Sequence, residues 1–232
     1  MITPSVRLAA SPINRMGLIT DADIPEGTIV WHPSAACAVW KEEELNALGP
    51  DAYGWVDEFG YRLSDGSALS GADCGYAFNH SCDPNVLSFG VDFGIAVRNI
   101  AAGGELTIDY RTLSAERGWQ IRCSCGAADC ARDIHATQVA PEPLQASWTT
   151  RIGPALALVR DRTQPLKTSL TQDSRSYQSW LAAGDFAFGK YSICDPRSGL
   201  SAARRAEYLS QEMRRLPLVS LSGPLARKAM EA

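Results

Sequence analysis

The sequence predicts a mostly β protein with a helical C-terminal extension, and three observations carry that expectation. Short β-rich runs (Val6-Arg7-Leu8, Gly17-Leu18-Ile19-Thr20, Thr28-Ile29-Val30-Trp31) follow one another closely, bounded by Pro and Gly. Beyond Pro141-Glu142-Pro143, which reads as a linker, the pattern turns helical over Gln145–Val159 and Ser201–Leu216, with Leu209, Met213 and Leu216 at helical spacing. Between the two parts, Cys123, Cys125 and Cys130 crowd into a loop too short to fold unaided, a spacing that suits metal better than disulfides.

The remaining elements follow from local chemistry. Asp23-Ile24-Pro25-Glu26-Gly27 is a turn signature, since proline fixes its own φ and glycine accepts a left-handed one. Trp40–Leu48, with Glu42, Glu43 and Glu44, predicts a short helix stopped by Gly49-Pro50. Tyr53–Leu63 predicts a strand with Trp55, Phe59 and Tyr61 as its large apolar members, and Gly66–Gly75 reads as turns. Asn79-His80-Ser81-Cys82-Asp83-Pro84-Asn85 is a polar loop. Phe89-Gly90-Val91 and Ile95-Ala96-Val97 predict a hairpin around Asp92-Phe93-Gly94, and Ala101–Gly104 a turn leading into a strand over Glu105–Tyr110.

Composition narrows the class. The 232 residues suit one domain plus an appendage, and 45% apolar content excludes a disordered chain. A net charge of −4 argues against a general nucleic-acid binder. Between Lys41 and Gly75 stand eight acidic residues against two basic, a stretch that suits either the steering of a basic tail or an ordinary solvated face. The pairs Arg204-Arg205 and Arg214-Arg215 read as the soluble face of a packing helix. Seven cysteines cannot all pair, so a reducing compartment is expected, with Cys37, Cys74 and Cys194 as small buried residues. No apolar run has membrane-spanning length, and Met1-Ile2-Thr3-Pro4 lacks a signal pattern. The expected protein is soluble and intracellular, cytoplasmic in a bacterium and nuclear or cytosolic in a eukaryote.

The order N-H-S-C-D-P-N at 79–85, G-E-L-T-I-D-Y at 104–110, then C-x-C-x4-C closely resembles the SET-domain protein methyltransferases with a post-SET zinc loop. Arg15–Ile19 through Asp23–Gly27 is similar to that family's opening strand pair. The resemblance covers residues 5 to 135; residues 141 to 232 match no motif. It implies a SET fold of several small sheets with a pseudoknot at 1–115, a post-SET zinc loop at 116–138 and a helical extension at 139–232. It further implies S-adenosylmethionine-dependent methylation of a lysine side chain on a protein or peptide substrate. Zinc would be held by Cys82 together with Cys123, Cys125 and Cys130, closing the loop over the 79–85 segment. The cofactor would be held by Arg15, Met16, Gly17, Asn79, His80, Tyr110 and Ile134.

Methyl transfer is an in-line displacement, so orientation carries much of the acceleration. A lysine of pKa 10.4 is neutral in only about one molecule in 2,500 at pH 7, so an apolar channel and a neighbouring sulfonium would help it shed its proton. The resemblance gives Tyr110 the catalytic role of positioning amine and methyl, not of general base, for which a phenol is poorly suited. Tyr53, Tyr61 and Tyr76 are candidates for the channel wall, and Trp119 for shielding the cofactor. Three positions depart from the family pattern: Arg15 and Arg132 stand where glycines are expected, and Ile108 where Phe or Tyr limits the number of methyls. A SET-like peptide-binding module without catalysis is the alternative reading, and a zinc-structured scaffold dimerising through its C-terminal helices a further one. Oligomeric state stays open.

Overall fold

A computed structural model describes residues 1–33, 37–62, 68–70, 73–89, 93–112, 120–135 and 142–184. The predicted helix over 201–216, its arginine pairs, Trp119 and Cys194 lie outside these residues. Strands β1 (Val6–Ala10) and β2 (Met16–Thr20) form an antiparallel pair in register from Val6↔Thr20 to Ala10↔Met16. Strand β2 then pairs with β10 (Glu105–Ile108), and β10 lies parallel to the two-residue β7 (Asn79–His80), closing a four-stranded sheet. A second sheet is built from β3 (Ile29–Trp31), β9 (Phe93–Ala96) and β8 (Val86–Phe89). A third, β4 (Ala38–Trp40), β6 (Ala68–Ser70) and β5 (Tyr61–Arg62), and the hairpin β11 (Gln120–Arg122) with β12 (Asp133–His135) complete the β structure. The several small sheets agree with the expected fold class.

The second sheet is the middle of three layers, as side-chain alternation shows. Ile29, Leu87, Phe89, Phe93 and Ile95 face one cluster, while Val30, Val86 and Ala96 face another with Val6, Leu18 and Leu106. The first cluster is completed from the far end of the chain by Trp148, Ile152, Ala155, Leu156 and Val159, then Leu166, Leu170 and Tyr177. These lie on or beside α3 (Glu142–Leu158), α4 (Lys167–Asp173) and α5 (Arg175–Ala183). The extension therefore shares its core with the β sheet. Glu142 and Pro143, expected in a linker, begin α3.

Polar contacts fix the docking. Gln164 Nε2 donates to Gly27 O at 2.9 Å, its Oε1 accepts from Ile29 N at 2.9 Å, and Arg162 Nε donates to Glu26 O at 2.9 Å. Gly27 has φ +87, and a Cβ there would sit 2.6 Å from Leu158 Cβ. The turn glycine is thus also a docking glycine.

Three expectations are corrected. Of the strand predicted over Tyr53–Leu63 only Tyr61–Arg62 is strand: helix α2 runs Pro50–Phe59, after α1 (Glu42–Asn46), and Leu63 lies outside the described residues. Gly49-Pro50 starts that helix as well as ending the previous one. Proline at the first helical position loses no hydrogen bond, and Gly49 O accepts from Tyr53 N at 2.9 Å. Trp55 and Phe59, four apart, share a helical face with ring centroids 5.7 Å apart. Within 66–75, Ala68–Ser70 is strand, and Phe93-Gly94 are strand residues because Phe89 pairs with Phe93. No helix among the described residues is long and apolar enough to cross a membrane.

Gly27→Ala should lose about 2–4 kcal/mol in urea unfolding, summing left-handed strain and overpacking. Gly103→Ala, at φ +82 with open space around it, should lose only about 1 kcal/mol from the backbone term. Equal losses at the two sites would remove the docking role of Gly27.

Candidate active site

The parallel pairing of β7 with β10 places Asn79 beside Thr107 and His80 beside Ile108. The polar loop that follows is held to the same strand by a side chain. Asn85 Nδ2 donates to Glu105 O at 2.7 Å, and its Oδ1 accepts from Thr107 N at 2.8 Å. A side-chain amide thus completes the ladder that the short β7 leaves unfinished. Tyr110 is not on the strand, as expected, but two residues past it, opening a 3₁₀ turn over Tyr110–Thr112. That turn is wound around Asp109, whose carboxylate is fully buried and takes a bidentate pair from Arg111 at 2.8 and 2.7 Å.

One imidazole ties the parts together. Tyr110 N donates to His80 Nδ1 at 3.1 Å, so that nitrogen carries the lone pair. The proton then sits on Nε2, 3.3 Å from Cys82 Sγ, and points at the sulfur. Burial pushes the His80 pKa down to about 4; Asp109 opposes the shift and Arg111 adds to it. His80 is therefore neutral near pH 7, and its 3.6 Å approach to Asp109 is not an ion pair.

The four sulfurs of Cys82, Cys123, Cys125 and Cys130 all lie within 4.8 Å of one another. Cys82 Sγ is 3.9 Å from Cys123 Sγ and 4.0 Å from Cys130 Sγ. A tetrahedron with metal–sulfur bonds of about 2.3 Å has edges of about 3.8 Å, so the cage fits one tetrahedral metal ion. Backbone N–H groups are aimed at the sulfurs: Cys82 N at Cys125 Sγ (3.4 Å), Ala131 N at Cys82 Sγ (3.5 Å) and Arg132 N at Cys130 Sγ (3.4 Å). Such donors stabilise thiolates, the form that binds metal.

The cofactor-side residues converge on the β1–β2 turn. Asn79 Nδ2 donates to Met16 O at 2.8 Å and to Glu105 Oε1 at 2.7 Å, and Ser11 Oγ lies 2.9 and 2.8 Å from the two Glu105 oxygens. A Cβ on Gly17 would meet Glu105 Oε1 at 2.1 Å and Asn79 Nδ2 at 2.8 Å, so a side chain there would displace the ends of both. Ser124 Oγ donates to Ile13 O at 2.9 Å, tying the cysteine loop to the same turn. Ile134 is buried opposite Ile121 in the β11–β12 hairpin, beside the cage.

Arg15 (φ 32) and Arg132 (φ 66) are the non-glycine residues with positive φ among those described. These are the two positions where glycine was expected. The backbone keeps its left-handed shape there and carries arginine at a steric cost. Both side chains are exposed, as is Met16.

Tyr110 Oη donates to Phe78 O at 2.6 Å. Burial first, then the Glu105 carboxylate, push the phenol up to about 12. Tyr76 instead meets Trp55 and Phe59 at 5.9 and 5.5 Å, and Tyr53 packs with Leu45, Val56 and Ala68. Of the residues not singled out in advance, Asn85 and Asp109 belong to the two motifs and could have been found there. Glu105 belongs to the second motif as well, while Ser11 and Arg111 emerge only from the fold.

Residues 15–111 match the SET domain family profile. They form a SET domain. The match stops before the cysteine loop and the extension. Among relatives, this chain is 35% identical over 77 residues to the histone-lysine N-methyltransferase ASHR3 of Arabidopsis thaliana, covering 30% of this chain and 15% of that protein. It is 36% identical over 76 residues to the histone-lysine N-methyltransferase SUV39H2 of Xenopus tropicalis, covering 22% and 19%. The chain thus spans less than a fifth of either relative. Among solved structures, the methyltransferase domain of human histone-lysine N-methyltransferase SETMAR aligns with TM-score 0.39 and 20% identity, over 55% of this chain and 56% of that one.

Two predictions follow from the geometry. Arg132→Gly should stabilise the chain by up to about 1 kcal/mol in thermal unfolding, because relief of left-handed strain outweighs the entropy glycine adds to the unfolded state. Tyr110 should stay un-ionised below about pH 11. Spectrophotometric titration of Tyr110→Phe should therefore match the parent up to that point and lose one phenolate above it. Since the folded pKa exceeds the ordinary value near 10, the Tyr110 contribution to stability is intact below pH 10 and falls between about pH 10 and 12.

Proposed function

We propose that the chain is an S-adenosylmethionine-dependent methyltransferase acting on a lysine side chain of a protein or peptide, with one zinc ion held by Cys82, Cys123, Cys125 and Cys130. The observation that supports this most directly is the His80 bridge, which joins the Tyr110 backbone to the sulfur cage while Asn79 joins β10 to the glycine turn. In this reading Asn79 and His80, the Arg15-Met16-Gly17 turn and Ile134 hold the cofactor. The Asn79 amide nitrogen is already committed to Met16 O and Glu105, which leaves its carbonyl oxygen to accept from the cofactor's ammonium group. S-adenosylmethionine, when bound, supplies the methyl: the amine lone pair forms the new N–C bond as the C–S bond breaks and a neutral thioether leaves.

The chain's own part is orientation. Tyr110, neutral and anchored through Phe78 O, offers a hydroxyl oxygen beside the line of transfer and takes no proton. The acidic first turn of α1 (Glu42, Glu43, Glu44) favours a basic substrate segment by steering. The name histone-lysine N-methyltransferase of the relatives supports the same class of acceptor.

A labelled-cofactor assay on arrays of basic peptides, read by mass spectrometry, tests this reading. Tyr110→Phe should lower kcat by about 10- to 100-fold, the size expected for losing one positioning hydrogen bond, with little change in KM for the cofactor. Undiminished turnover in that variant would remove the mechanism. Elemental analysis should find one zinc per chain, falling well below one in Cys82→Ser. A strong chelator should abolish methylation and increase proteolysis at 120–135.

A further inference from the structure

The loop at 81–85 is pinned at both ends to β10, through β7 before it and Asn85 after it. Its middle, Asp83-Pro84, follows directly on the cage residue Cys82 and is held by two arginines. Arg98 comes from the SET domain and donates to Asp83 Oδ2 at 2.6 Å and Asp83 O at 2.7 Å. Arg151 comes from α3, outside the family match. Its Nη1 lies 3.2 Å from Asp83 Oδ1, and its Nη2 donates to the carbonyl of the buried Pro84.

These contacts differ in weight. The Asp83 carboxylate and Arg98 are both largely solvent-exposed, and such pairs contribute little. The Arg151 side chain is only 23% exposed, and its second contact is a charge-assisted hydrogen bond to a backbone carbonyl. Pro84 has no N–H to bind the loop from its other side, so the carbonyl carries the restraint. Helix α3 itself cannot shift easily, since Trp148, Ile152 and Ala155 sit in the core shared with β8 and β9.

We propose that Arg151 is a positioning residue for the active-site loop. The C-terminal extension thereby belongs to the catalytic unit, fixing Cys82 and, through it, His80. The loop-fixing role stands on geometry; its consequence for turnover rests on the methyltransferase reading above. A buried helix delivers a rigid guanidinium fork to the middle of a loop whose ends are held by β10. Removing the fork frees the segment that carries the Cys82 ligand without touching any group that contacts the substrate.

The test is hydrogen exchange by mass spectrometry on the full chain, comparing Arg151→Ala with the parent. Peptides covering 79–86 should exchange about tenfold faster while those covering β1 and β2 are unchanged, and Arg151→Lys should fall between, since an ammonium can satisfy only one of the two contacts. Release of zinc to a chelator should quicken by about the same factor, and S-adenosylhomocysteine, followed by calorimetry, should bind about tenfold more weakly. Unchanged exchange at 79–86 overturns the proposal. An equal rise across all peptides also overturns it, because Arg151 would then be an ordinary fold contact. Should Arg151→Ala fail to fold, Arg151→Lys decides alone: exchange at 79–86 should still rise above the parent while β1 and β2 stay unchanged, and no rise there overturns it. A parent protein that takes up no S-adenosylhomocysteine would overturn the methyltransferase reading, while the exchange measurement still decides the clamp.

Discussion

Two residues of parallel pairing, Asn79 beside Thr107 and His80 beside Ile108, hold the arrangement together. So short a ladder is weak alone, and its stability comes from what is attached to it. Asn85 lends its side-chain amide as a substitute strand residue, Asn79 reaches across to the glycine turn, and His80 uses one nitrogen for the Tyr110 backbone and the other for a cage sulfur. Remove the pairing and each of these contacts loses its geometry. A buried neutral imidazole suits the bridge because it can accept at one nitrogen while donating at the other, without a charge to desolvate.

The SET fold was legible because several motifs occur in a fixed order, and because strands bounded by Pro and Gly announce themselves locally. The sulfur cage was legible too: three cysteines within a few residues need a partner, and the chain carries Cys82 in the one motif where the resemblance puts it. Helix α2 was missed because Trp55, Phe59 and Tyr61 have high β propensity, and the four-residue spacing of the first two was outweighed by their type. The packing of the extension was illegible for a different reason. The strands Phe93–Ala96 and Ile29–Trp31 are apolar on both faces, which signals a covered sheet, but nothing local says which segment covers it.

The two departures from the expected glycine pattern have a shared physical meaning. At Arg15 and Arg132 the backbone retains the left-handed conformation that a glycine would adopt without strain, while each arginine projects to the surface. Gly17 lies against the ends of the Glu105 and Asn79 side chains, which a side chain at that position would push aside.

The central sheet has a consequence for the order in which the molecule comes together. Leu87, Phe89, Phe93 and Ile95 leave the ribosome well before Trp148, Ile152 and Tyr177, which cover them. Until the extension emerges, a nascent chain presents a bare greasy strand surface, the kind of exposure that invites chaperones or clumping. A later segment thus determines when an earlier one becomes safe.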